Sequence, residues 1–267
     1  MQTARATRLA LIASTILGAS LAATFAAPAG TLAALTGDDT LTMIDMATQK
    51  AGKSVKVTGI TGKIAGIDVR PADGMLYALS TDGTIFTVDT ASGKATMKSK
   101  MDTSLAAGTL ATVDFNPAAD RLRVIGADGT NLRVNVEDGK TTVDGKLKFA
   151  ETDMHKGETP MVVAGAYSNS VKGTKETALY DIDGKIGGLL KQAPPNDGVL
   201  GAVGKLGVTP KAIAFDIETD ASGANTGWLL ADGVLHKVDL ATGKASMVGK
   251  VTGLNGSARD VAALPAM

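Results

Sequence analysis

The chain has 267 residues, 44% of them hydrophobic and 20% charged, a composition that belongs to folded globular proteins and not to disordered ones. Lysine plus arginine (27) balances aspartate plus glutamate (27), so no basic footprint for nucleic acid is present. The lack of cysteine excludes disulfides, a thiol nucleophile, thiolate metal sites and a lipidated N-terminal cysteine.

The first thirty residues differ from the rest. Arg5 and Arg8 precede an apolar stretch from Leu9 to about Phe25, and Ala27-Pro28-Ala29 follows. This order of charge, apolar run and small residues predicts a secretory signal peptide over 1–29, with an uncleaved anchor as the alternative. Cleavage would remove both arginines and leave 25 basic against 27 acidic residues, a net charge of −2. The mature chain, 30–267, is then expected to be a single domain in the periplasm or secreted, without a further membrane-spanning run.

Beyond residue 30 the chain repeats itself. FTVDTASGKA (86–95) returns as HKVDLATGKA (236–245), and a weaker copy, LTMIDMATQKA, occupies 41–51. Equivalent turn-entry positions are Asp45, Asp89, Asn135, Gln192 and Asp239, spaced by 44, 46, 57 and 47 residues. Such a period in a strand-rich sequence predicts a β-propeller with one four-stranded blade per repeat.

In chain order, each repeat opens on a strand poor in charge: IAGIDV (64–69), LATVDF (110–115), VVAGAY (162–167) and AIAFDI (212–217). Small residues suit the innermost strand, where blades converge. A second strand follows (MLYALS, RLRVIG), then an Asp-Gly turn at 81–83, 127–129 and 231–233, then a third strand. The recurring VDxxTGK reads as a hairpin staple leading to the fourth strand, not as a catalytic motif. Lysines on the fourth strand guard an exposed edge. Four repeats are complete. The segment 31–57 lacks a first strand and 258–265 supplies a lone one, which predicts five blades, the first shared by both ends of the chain.

Several phrases carry a family resemblance: FNPAADRLRVIGADGTNLRVN (115–135), TTVDGKL (141–147), GAYSNS (165–170), TALYDID (177–183) and QAPPNDG (192–198). Together they resemble domain-of-unknown-function family 4394 over essentially the whole mature chain. The resemblance implies an exported bacterial protein of propeller-like, quinoprotein-like shape. It implies no activity and no catalytic residue.

Chemistry is sparse. His155 and His236, the two histidines, have no zinc-ligand spacing, and there is no G-x-S-x-G. Few aromatics are available to stack a quinone cofactor. DIETDASGAN (216–225) sets Asp216, Glu218 and Asp220 two apart, a hard-oxygen pattern that would suit calcium, although it is not an EF-hand loop and also reads as a solvated hairpin. Arg121 and Arg123 on a second strand, with Asn131 and Arg133 on the third, form a donor-rich set for a carboxylate or phosphate ligand, or for ion pairs with Asp114, Asp120 or a neighbouring blade. The following blade inserts SNSVKGTKE (168–176) and uses APPNDG (193–198) for its turn, which brings Asn169, Asn196 and Asp197 forward as candidate ligand residues.

The expectation is a binding or interaction module for an envelope protein or a small anionic ligand, with no cofactor other than calcium as an option. A lactonase-like metal hydrolase is the alternative, motivated by Asp68 and Asp114 at equivalent inner-strand positions. Ala166 and Ala214 are read as the matching residues, leaving that ring of acids incomplete. A structural envelope protein without a small ligand is the third reading.

Overall fold

A computed structural model describes residues 30–265; the expected signal peptide lies outside them. Apart from one 3-10 turn at Pro195–Asp197, every regular element among the described residues is a strand. The first three are β1 (Thr31–Thr36), β2 (Thr40–Asp45) and β3 (Lys50–Lys56). The next group comprises β4 (Ile64–Val69), β5 (Leu76–Ser80), β6 (Thr84–Val88) and β7 (Ala95–Lys100). It is followed by β8 (Ala111–Asn116), β9 (Arg121–Gly126), β10 (Asn131–Val134) and β11 (Thr141–Val143). After a short β12 (Lys148–Phe149) come β13 (Val162–Tyr167), β14 (Leu179–Asp183), β15 (Gly188–Gln192) and β16 (Val199–Lys205). The last are β17 (Ile213–Thr219), β18 (Asn225–Ala231), β19 (Val234–Val238), β20 (Ala245–Lys250) and β21 (Ala258–Leu264).

These strands form five antiparallel meanders, the blades of a five-bladed β-propeller. Blade one is ordered β21-β1-β2-β3, so the C-terminal strand completes a sheet begun by the N-terminal segment. Blade four gains β12, which pairs in parallel with its outer strand β16 and sews the connection from blade three onto it. The inner strands β21, β4, β8, β13 and β17 pack on one another in a closed ring.

The repeated turn does what its chemistry predicts. Asp89 Oδ1 accepts the Ser92 N–H at 2.7 Å, Asp239 Oδ1 accepts that of Ala241 at 2.8 Å, and the Gly93 and Gly243 N–H groups bond back to the carbonyls of those aspartates. Positive φ values of 73° and 76° explain glycine at the two positions. Where blade four replaces this turn with APPNDG, Gln192 is buried and donates from Nε2 to the Pro195 carbonyl at 2.6 Å.

Alternating side chains leave each sheet with two faces, and each face packs against a neighbouring blade. The core is therefore divided among five seams. Tyr77, Ile85, Phe115 and Val124 lie between blades two and three; Tyr167, Leu179, Leu190 and Ile125 lie between three and four. Outer strands are largely wet, as in β7, where Lys98 and Lys100 are exposed and the buried positions are Ala95 and Ser99.

Candidate functional site

At the inner strands the seams turn polar. Asp68 (β4), Asp114 (β8) and Asp216 (β17) are buried, and one carboxylate oxygen from each lies within 4.8 Å of the others. Three separate blades thus converge on one small volume at the axis.

Each of these acids also reaches the next blade. Asp68 Oδ2 accepts the Phe115 N–H at 2.6 Å, Asp114 Oδ1 accepts that of Tyr167 at 2.9 Å, and Asp216 Oδ2 accepts that of Ala263 at 2.6 Å. The hydrogen-bond pattern identifies the structurally equivalent positions. The donor is the residue after Asp114 in β8, after Ala166 in β13 and after Ala262 in β21. Asp260 repeats the device one pleat away, its Oδ2 accepting the Ile67 N–H at 2.8 Å.

This register corrects one sequence-based reading. In β17 the residue that matches Asp68 and Asp114 is Asp216, not Ala214; like Asp68, it also accepts the N–H of the residue that follows it. Ala166 does match, and no carboxylate of this set spans the seam from blade four to blade five. There the inserted loop takes over. Asn169 N–H donates to Asn225 Oδ1 and Asn225 Nδ2 to Asn169 Oδ1, at 2.8 and 2.7 Å, and Ser170 N–H donates to Thr219 Oγ1 at 2.8 Å.

Burial is the main electrostatic force on the axial acids. It raises Asp68 and Asp114 well above the usual carboxylate range, with the charge on neighbouring aspartates adding to the shift. Asp216 is pushed up to about 6 and Asp260 to about 8, again chiefly by burial and against the pull of their N–H donors. Like charges this close resist simultaneous ionisation, so protons or a cation must share the site.

The other sequence candidates fall into separate groups. Arg123 is buried and donates to four groups: Tyr167 Oη at 3.1 Å, Asn131 Oδ1 at 2.9 Å, Asn196 Oδ1 at 2.8 Å and Asp144 Oδ2. Arg133 grips Asp144 with both ends of its guanidinium, at 2.6 and 2.9 Å, and Asp144 holds the arginine further on the charged side. Arg123, Asn131, Arg133 and Asn196 are therefore one constellation. It locks the β10–β11 hairpin of blade three to the 3-10 turn of blade four around Asp144.

Arg121 stands apart, donating to the carbonyl of Asp120 at 2.8 Å. Asp197 sits exposed in the 3-10 turn. Of the proposed calcium trio, Asp216 joins the axial set, Glu218 Oε2 accepts the Trp228 Nε1–H at 2.9 Å, and Asp220 caps its own exposed turn through Ser222 and Ala224. His155 meets Glu158, and His236 lies beside the Val234 carbonyl, both at 3.0 Å.

Sequence reasoning missed Asp144, Asp181 and Asp260. Asp260 was legible in principle: ARDVAAL carries an acid within an inner strand, as IAGIDV does. Asp144 carried no signal, because its arginine partners come from two other strands.

A family model described as a domain of unknown function (DUF4394) matches residues 40–262. The chain belongs to that family. No curated protein matches it in sequence. Among solved structures, a protein of unknown function from Bacteroides thetaiotaomicron VPI-5482 is similar, with a TM-score of 0.52 at 16% identity over 88% of this chain and 65% of that one. A chain of a nidogen/laminin complex has a TM-score of 0.52 at 10% identity, covering 88% of this chain and 98% of that one. A protein of unknown function from Bacteroides caccae has a TM-score of 0.45 at 13% identity, covering 84% and 73%. The chain thus spans about two thirds of the Bacteroides thetaiotaomicron relative. At these identities the likeness shows the fold alone. No helix among the described residues is long and apolar enough to cross a membrane.

Proposed function

We propose that this member of the family is an exported propeller acting as a binding module, and that its axial carboxylates hold a divalent cation, calcium by preference. The observation that carries this reading is the convergence of Asp68, Asp114 and Asp216 from three blades, with ligand oxygens within 4.8 Å of one another. Hard carboxylate oxygens favour a hard cation over zinc or copper. A bound ion would also neutralise buried charge that otherwise has to be quenched by protons.

The donor-rich set around Arg123 is a poorer candidate for an anionic ligand, since its donors already serve Asp144, Asn131, Asn196 and Tyr167. The proposed cation site draws on Asp216 from the calcium pattern in the sequence and replaces its two outer members with acids from other blades. Export rests on the N-terminal pattern. N-terminal sequencing of the protein from a periplasmic fraction should begin at Gly30.

Isothermal titration of the mature protein with calcium, magnesium and manganese at pH 7.5 tests the site. One equivalent of cation should bind wild type, and Asp114→Asn should weaken binding at least tenfold. An absence of both heat and thermal stabilisation in wild type would remove the cation from the reading. The same loaded protein assayed on a lactone panel separates a binding module from a metal-dependent hydrolase, since turnover that disappears in Asp114→Asn would favour the enzyme.

A further inference from the structure

Asp181 belongs neither to the axial set nor to the direct partners of Arg123. It lies in the middle of β14, fully buried, paired across the ladder with Gly165 of β13 and Leu190 of β15. Strand alternation puts it on the same face as Tyr167, Leu179 and Gln192, the face packed on blade three. Gly165 makes the room, because a Cβ there would land on Asp181 Oδ1.

Among the described residues no backbone or side-chain group donates to either Asp181 oxygen. Gln192, the next residue of β15 on the same face after Leu190, spends its amide nitrogen on the Pro195 carbonyl, and its Oε1 likewise has no donor. Three buried acceptor atoms therefore share one face. An ionised carboxylate in such surroundings is strongly disfavoured, because nothing replaces the water it has lost. A single proton on Asp181 changes the count, turning one acceptor into a donor for another.

The charged groups around it are few; on β14 itself Asp183 shares the face, with its oxygens taken by the Met161, Lys185 and Ile186 N–H groups. From β9 of blade three, Arg123 faces Asp181 and favours its ionised form, but its guanidinium is committed to Asp144, Asn131, Asn196 and Tyr167. Behind it stand Arg133 and Asp144, paired with each other. Tyr167 of β13 is held neutral by burial, and from β15 the neighbour is Gln192, with Lys191 on the opposite face of the sheet.

We propose that Asp181 is kept as a neutral carboxylic acid donating to Gln192 Oε1, so that the seam between blades three and four is a proton-dependent latch. The latch is closed while the acid keeps its proton and loosens when the acid ionises, freeing the 193–198 turn that Gln192 holds through the Pro195 carbonyl and that carries Asn196. Burial pushes Asp181 up to about 8, with Arg123 pulling part of the way back, which places the change between neutral and mildly alkaline pH. The latch does not depend on the axial cation. Its exposure to external pH rests on the proposed export.

Carbon-detected NMR of the side-chain carboxyls in the full mature chain, from pH 6 to 9.5, is the test. The Asp181 carboxyl should carry its proton at pH 6 and titrate near 8, with the Gln192 side-chain amide shifting in step. Hydrogen exchange of β14 and β15 should rise over the same interval beyond its intrinsic pH dependence. Asp181→Asn, which keeps a donor for Gln192, should abolish that rise. A carboxyl already ionised at pH 6, or the same exchange profile in Asp181→Asn, overturns the latch. Should the variant fail to fold, the wild-type titration alone decides.

Discussion

Asp68 of β4 accepts the backbone N–H of Phe115 in β8 at 2.6 Å, so a side chain of blade two is bonded to the main chain of blade three. Repeated at Asp114, Asp216 and Asp260, this bond makes the inner ring a set of carboxylate staples as well as a candidate cation site. The two roles compete for the same oxygens and share one electrostatic cost.

Stability should therefore fall as pH rises. The fold holds these acids above the ordinary value of 3.8, at about 6 for Asp216 and about 8 for Asp260. Their contribution is fully present below the unfolded value and lost as pH climbs through the folded ones. Calorimetry in chelator should give a lower Tm at pH 9 than at pH 5. Asp216→Asn should remove the lower part of the slope, a contribution on the order of 3 kcal/mol. A flat profile would mean that the acids are neutralised some other way.

Arg123→Ala should destabilise the protein by about 3–5 kcal/mol, because it removes four buried hydrogen bonds and one of the two guanidinium groups that hold Asp144. Arg123→Lys should recover little, since a point charge cannot reach partners on four sides. Asn196→Ala should cost about 1–2 kcal/mol. A double-mutant cycle by urea denaturation reads the coupling between the two. Values within error of zero would show that the constellation is free to serve a ligand.

Asn225→Ala should loosen the seam between blades four and five in particular. It removes bonds to Asn169 and Thr219 at the one inner-strand junction where Ala166 stands in place of an acid. Hydrogen exchange should accelerate in β13 and β17 while β4 and β8 keep their protection. Uniform acceleration would instead indicate that the ring opens as a unit.

A chain ending at Gly256 should lose cooperative folding. Without β21, blade one has no inner strand, Ile67 loses the Asp260 carboxylate and Asp216 loses the Ala263 N–H. Supplying a peptide of residues 257–265 should restore a single thermal transition. A truncated chain that melts cooperatively would show that ring closure is dispensable.

The five blades and the shared first blade were legible because they are local events repeated. A blade is four strands joined by tight turns, and each turn announces itself by Asp and Gly at fixed offsets, as at Asp89 and Gly93. The closure by β21 could be counted from what the first and last repeats lack. No such local rule tells which acids meet at the axis. Asp216 looked like part of an outer loop because its neighbours in sequence are Glu218 and Asp220, whereas the fold sends those two elsewhere and brings Asp68 and Asp114 to it from 148 and 102 residues away. Arg123 read as a donor for a ligand or for an ion pair with Asp114, Asp120 or a neighbouring blade, and the hairpin instead returns Asp144 to it. Repetition along the chain determined the architecture, because strand pairing and turns act over a few residues. Only the closed ring decided the chemistry, because burial and the convergence of charges depend on which blade lies against which.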